Sequence, residues 1–215
     1  MPRPRTVLVV TGEASGDAHA ARLVEALRDQ APGVNVLAVG GDALARAGAT
    51  ILYHIDELGI IGITEVVRHL PKILRVLGNL KTLIRSGEVD LFIPVDFPDF
   101  NFRLAATAHR SAVLVFYYIA PQVWAWRTGR VKSMARWCSH VAVIFPFEVP
   151  VFEAAGIPVT YAGHPLVDRV STLDPQAARR RLGIRDDRPV VALLPGSRSS
   201  EVERHLPVMV SAARR

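Results

Sequence analysis

Short apolar runs at residues 6–11, 35–39, 50–53, 89–95, 113–119, 140–145, 158–162 and 190–194 alternate with stretches of helical periodicity at 18–30, 42–47, 64–86, 102–109, 129–137 and 148–155. Near-continuous Val, Ile, Leu and Phe, each run followed by a helix, is the pattern of strands buried on both faces, because crossover helices cover the sheet on either side. The alternation predicts an α/β fold with a doubly wound, mostly parallel Rossmann-like sheet. Right-handed crossovers then bring the strand-to-helix loops to one edge of that sheet. Ligands of open parallel sheets bind at that edge, outside the carboxyl ends of the strands. Chemistry is therefore sought where the apolar runs stop.

Two of these stops are rich in functional groups. LFIPV ends on Asp96, Pro98, Asp99 and Asn101, and the run 113–119 ends on Pro121, Gln122, Trp124, Trp126 and Arg127. A plainer reading makes Asp96 and Asp99 turn and N-cap residues, a common use of aspartate there. TGEASGD, residues 11–17, joins the first strand to the first helix. Gly12 and Gly16 permit a tight turn and close ligand approach, and the helix N-terminus favours an anion. The loop is neither G-x-G-x-x-G nor a phosphate-binding Gly-Lys-Ser/Thr loop. Glu13 would repel a phosphate, so sugar hydroxyls suit it better; Ser15 and Asp17 also read as simple caps.

Three further segments carry candidate groups. In AGHPLVD, His164 can bind a phosphate, move a proton, or simply brace a crevice. In LPGSR, Gly196 and Ser197 can present backbone amides, and Arg198 adds a forked cation suited to a diphosphate. GIIGITEVV leads into a helix with Val66, Leu70, Ile73, Leu74, Leu77, Leu80 and Ile84 on one face. Such a helix ordinarily packs on the sheet, and Pro71 is expected to kink or split it. If exposed, Ile60 and Ile61 suit an acyl chain or a membrane surface, with Arg68 and Lys72 meeting lipid phosphates.

Residues 169–188 are polar and rich in Arg and Asp. They read as a linker between an N-terminal domain, 1–168, and the beginning of a second Rossmann-like domain, 189–215. That last segment is too short to enclose a core, so the chain reads as a first domain plus the start of a truncated second. Within it, Pro207 is placed to open a new helix. The net charge is +6, but lysine occurs only at Lys72, Lys81 and Lys132 and no nucleic-acid-binding pattern accompanies the arginines. Nucleic acid is not an expected partner; phosphorylated substrates or an anionic membrane are. Cys138 is the single cysteine, which excludes an internal disulfide, fits a reducing cytoplasm and reads as a buried structural thiol. The N-terminus lacks a signal-peptide pattern, and the longest apolar run is about half the roughly 20 residues of a spanning helix.

Taken in order, GEASGD, GIIGITEVV, VDFPDFN, APQVWAWR, FPFE, AGHPL and LPGSRSSEVE closely resemble the lipid-A-disaccharide synthase family, from about residue 6 to the end. The resemblance implies a GT-B fold, two Rossmann-like domains facing each other, of which residues 1–168 form the acceptor side. Family members join UDP-2,3-diacylglucosamine to 2,3-diacylglucosamine 1-phosphate, form a β-1,6 disaccharide and release UDP, working in the cytoplasm at the inner-membrane surface of Gram-negative bacteria. By this resemblance Asp96 is the catalytic base, while Glu13, Ser15, Asp99 and Asn101 contact or orient substrate. Gly196, Ser197 and Arg198 hold the UDP phosphates. No DxD pair or His/Cys cluster points to a metal, and no cofactor is expected. Inversion by single displacement follows from an α-linked donor and a β-linked product. A homodimer is compatible with the reading. Two alternatives stand beside it: another GT-B-like enzyme acting on UDP-N-acetylglucosamine, such as a 2-epimerase, or a non-catalytic fragment that binds acylated sugar or membrane.

Overall fold

The computed structural model describes residues 3–58, 63–123, 129–185, 189–196 and 199–214. The chain divides into two compact units, Met1–Val167 and Asp168–Arg215. The first unit runs β1 (Thr6–Val10), α1 (Ala14–Gln30), β2 (Asn35–Gly40), α2 (Asp42–Arg46), β3 (Thr50–His54), α3 (Ile63–Arg85), β4 (Leu91–Pro94), α4 (Pro98–Arg110), β5 (Leu114–Tyr118), α5 (Gly129–Trp137), β6 (His140–Val143), α6 (Val149–Glu153) and β7 (Val159–Tyr161). Among the described residues these strands form one sheet in the order β3-β2-β1-β4-β5-β6-β7, and each adjacent pair is parallel. The order reverses between β1 and β4, which makes the carboxyl ends of those two strands the switch point where a ligand crevice opens.

Side chains alternate across the sheet with the period of two that a strand imposes. Leu8, Val10 and Phe92 face one core, built with Val76, Leu77, Leu80 and Ile84 of α3, Leu104 and Ala108 of α4, and Met134 of α5. Val7, Val9 and Ile93 face the other, built with Ala20, Ala21 and Val24 of α1 and Leu44 of α2. Both faces of β1 are thus covered, as the unbroken apolar run TVLVV requires. Cys138 belongs to the first core, and burial pushes its thiol up to about 12. It is a packing residue.

The structure departs from the sequence expectations in several places. Helix α3 is not split at Pro71, which lies inside it; the proline removes one amide, and the buried stripe of Val76, Leu77, Leu80 and Ile84 keeps the rest of the helix on the sheet. In the segment 169–188, expected to be a linker with a short helical run in its middle, α7 (Leu166–Ser171) ends near the start and α8 (Pro175–Arg181) occupies the middle. Asp174 caps α8 by accepting from the Gln176 amide at 2.9 Å. In the second unit, residues 190–194 form no strand, and α9 (Ser199–Ala213) contains Pro207 in its interior instead of starting there. An apolar run becomes a strand only where a neighbour completes its hydrogen-bond ladder, and no strand lies among the described residues of that unit.

Candidate active site

The tip of β4 is bent sharply by its own sequence. Val95 still pairs, donating to the Val10 carbonyl at 2.9 Å and bridging to Tyr118. Asp96 and Phe97 then both adopt left-handed backbone, with φ of 56° and 50°, before Pro98 opens α4. Each non-glycine residue held there costs about 1–2 kcal/mol, so the surroundings must hold them. Asn101, fully buried, donates its amide to the Asp96 carbonyl at 2.7 Å and to the Val10 carbonyl at 3.2 Å. The hydroxyl of buried Tyr117 donates to the same Asp96 carbonyl at 3.2 Å. The Phe97 ring stacks on Phe100 at 4.8 Å and lies over Gly12, where a Cβ would come within 2.6 Å of it. Gly12 is glycine because the turn that follows a different strand sits on top of it.

The same turn aims the Asp96 carboxylate into a cleft of about 260 Å³. Its floor and walls are Asp96 and Pro98 after β4, Ile119, Ala120, Gln122 and Val123 after β5, Phe145 and Glu148 after β6, and Arg130 from the first turn of α5. Ile119 is also left-handed, at φ 57°, an unusual conformation for a β-branched residue. Strain thus gathers where two strand ends face the cleft, the usual place for it in a functional site. Burial, and secondarily the charge of Glu13, raises the proton affinity of Asp96, against the lowering effect of the Phe97 amide. A carboxylate raised in this way is a better proton acceptor for an alcohol. Glu148 is buried and accepts from the Phe145 amide at 3.1 Å, so it fixes the turn after β6.

The residues expected from sequence separate clearly. Glu13, at the end of the β1 turn, is brought to Asp96 electrostatically, and Ser15 is exposed in the first turn of α1. Asp99 is exposed at the start of α4 and ion-paired with Arg130. Asn101 is not at the surface; it supports the Asp96 loop from beneath. Asp17 is no cap of its own helix. It is buried and accepts from the amides of Gly41, Ala43 and Leu44 at 2.7, 2.9 and 3.3 Å, capping α2. His164 stands beside Phe145, with ring centroids 5.8 Å apart. Lys72 pairs with Glu57 at 3.3 Å. In the second unit Gly196 takes φ of 128°, open to glycine, and a Cβ there would clash with Glu201. Ile60, Ile61, Trp124, Trp126, Arg127, Ser197 and Arg198 lie outside the described residues, as does the side chain of Arg68. Arg130 was not singled out by sequence; one arginine among many carries no signal until α5 is packed. Among the described residues no cluster of His, Cys, Asp or Glu could hold a metal ion.

A family model described as lipid-A-disaccharide synthetase matches residues 7–215. The lipid-A-disaccharide synthase of Geobacter metallireducens is 45% identical over 212 residues, covering 98% of this chain and 55% of the relative. That of Geobacter sulfurreducens is 46% identical over 209 residues, covering 96% and 54%. The chain spans just over half the length of these relatives. Among solved structures, the UDP-GlcNAc 2-epimerase from Neisseria meningitidis bound to UDP-GlcNAc superimposes with a TM-score of 0.57 at 11% identity, over 82% of this chain and 52% of that one. That likeness is one of fold.

Proposed function

The chain belongs to the lipid-A-disaccharide synthetase family, and from that premise we propose that its first unit is the acceptor side of a glycosyltransferase that forms the lipid A disaccharide. The substrates are UDP-2,3-diacylglucosamine and 2,3-diacylglucosamine 1-phosphate. Asp96 takes the proton of the acceptor's 6-hydroxyl as that oxygen attacks the anomeric carbon of the donor. The bond from that carbon to UDP breaks, the configuration inverts from α to β, and UDP leaves with the electron pair. Gly196, Ser197 and Arg198 stabilise the departing phosphates, a charge that fixed donors handle well. The observation that carries the reading is the strained turn at β4, which presents a carboxylate of raised proton affinity at the switch point of the sheet. The test joins this chain to the C-terminal half of a Geobacter relative and follows UDP release with both substrates. UDP release dependent on acceptor supports transfer. Epimerised donor without acceptor would move the family's chemistry here to the 2-epimerase type.

Acylated substrates place the site at a lipid surface, and we infer a peripheral association with the cytoplasmic face of the inner membrane. Among the described residues no helix is long and apolar enough to cross a membrane. Support comes from an apolar groove of about 160 Å³ between α3 and α4, lined by Leu70, Ile73, Leu74, Leu77, Phe97 and Phe100 together with Asp99 and Arg103. Leu70 and Leu74 are 45% and 48% exposed. Phe97 belongs to both the groove and the catalytic turn, so an acyl chain in the groove would lie against the backbone that carries Asp96. Flotation with anionic vesicles should decline with salt and fall further in Leu70→Ser/Leu74→Ser at an unchanged melting temperature. A folded wild-type chain that ignores such vesicles at low salt overturns the membrane assignment.

A further inference from the structure

Arg130 is the cation among the described residues lining the Asp96 cleft, and its setting is unusual for a structural arginine. The side chain is 19% exposed, whereas its ion-pair partner Asp99 is 70% exposed. Its guanidinium carbon lies 5.1 Å from the centre of the Phe102 ring, which fixes the plane of the group from one face. The charge is therefore held against an apolar ring, and the carboxylate is the more exposed partner of the pair. The pair is open to solvent on the carboxylate side, where another anion can compete for the guanidinium. A phosphate monoester offers more charge and a geometry that the guanidinium fork meets with two parallel hydrogen bonds.

We propose that Arg130 recognises the phosphate of the acceptor, and that Asp99 occupies the guanidinium until that phosphate displaces it. The inference rests on the acceptor reading above and adds to it the residue that selects a phosphorylated sugar. The electrostatics of the cleft set the orientation. Asp96, with the charge of Glu13 acting on it, repels a phosphate and accepts a hydroxyl proton, whereas Arg130, which lines the same cleft, attracts the phosphate. A sugar bearing a free hydroxyl at one end and a phosphate at the other is aligned by that polarity, hydroxyl to the base. A diphosphate of the donor is the other source of the same chemistry, and the experiment separates the two.

Calorimetry on the 215-residue chain would compare short-acyl 2,3-diacylglucosamine 1-phosphate, its dephosphorylated form, and UDP. The wild-type chain should prefer the phosphorylated acceptor by about 10- to 100-fold, the range of a charge-assisted hydrogen bond. Arg130→Ala should abolish that preference and leave the dephosphorylated affinity unchanged; Arg130→Lys should retain part of it. Asp99→Asn should tighten the phosphorylated acceptor alone, because the competing anion is gone. A merely structural Arg130 would not produce that gain. If Arg130→Ala unfolds, the lysine and asparagine variants carry the test. Equal loss for both acceptor forms, loss confined to UDP, or weaker binding in Asp99→Asn would overturn the proposal. Wild-type binding of both acceptors alike overturns it too, while leaving the acceptor reading intact. Binding of neither acceptor overturns the acceptor reading itself.

Discussion

Asp90 and Asp96 flank the same strand, β4, and the protein treats them in opposite ways. At the amino edge Asp90 accepts from the Thr6 amide at 2.8 Å and is paired with Arg3 at 2.9 Å and Arg5 at 3.5 Å. The Thr6 amide and then the arginine charges hold its carboxyl below the ordinary range. At the carboxyl edge burial and Glu13 push Asp96 the other way. The backbone leans the same way: of the non-glycine left-handed residues, Asp96, Phe97 and Ile119 lie at the carboxyl edge, and Ala112 lies before β5 at the amino edge. One end of the sheet satisfies its charge and secures the N-terminal segment. The other carries a carboxylate of raised proton affinity on a left-handed turn, whose backbone carbonyl the buried Asn101 and Tyr117 hold.

The largest effect should come from exchanging the two carboxylates for amides in the enzyme extended by a relative's C-terminal half. Asp96→Asn should lower turnover by about 10²–10⁴-fold, the typical contribution of a positioned base, while Asp90→Asn leaves turnover near wild type. Comparable activity in the two variants would erase the contrast. Next comes the support beneath the turn. Asn101→Ala removes the buried amide from the carbonyls of Asp96 and Val10, which keep the Tyr117 hydroxyl and the Val95 amide, and should cost about 0.5–1.5 kcal/mol in denaturant melts. Its turnover should fall more than its acceptor affinity does; an unaltered turnover would mean that Asp96 is held without Asn101.

A smaller effect lies in the pH dependence of stability, and its sign differs between the two ends. The raised folded-state affinity of Asp96 favours the folded protein at low pH, and that advantage is lost as pH rises from the ordinary value of 3.8 through the raised one. Asp96→Asn should therefore melt higher than wild type at neutral pH and converge with it in acid. Asp90, lowered, contributes stability above 3.8 that disappears as pH falls through its depressed value. Asp90→Asn should melt lower at neutral pH and converge from the other side. Melts from pH 2 to 7 would show whether the two curves approach wild type from opposite directions. Smallest is the response of Cys138. With its thiol pushed up to about 12 by burial, it should resist iodoacetamide in the folded chain and react on unfolding. Rapid labelling of the native protein would show that α5 opens locally.

The central strands β1, β4 and β6 were legible because both of their faces are largely buried, which turns a strand into a continuous apolar run. Glu13, Asp96 and Asp99 were legible for the complementary reason: a charge that ends such a run has to sit at the sheet edge. What stayed hidden depended on contacts between elements distant in sequence. Asp17 caps α2 and not α1, Asn101 reaches back to Val10, and Arg130 seats itself on Phe102. None of these follows from spacing along one helix. Residues 190–194 mislead in the opposite sense, since VVALL has strand composition but composition supplies no pairing partner.

The central position of β1 has a consequence for how the chain is made. Val7 pairs with Val36 on one side and with Leu91 on the other. At ~5–20 residues per second, the ribosome delivers β2 early and β4 only seconds later. During that interval a strand with no polar face has one edge bare, the condition under which nascent chains pair with the wrong neighbour. The yield of native protein should then depend on how quickly the segment between β3 and β4 is translated, and on holdase chaperones that cover β1 meanwhile. A finished sheet of ample stability would still be lost at this stage if synthesis paused there.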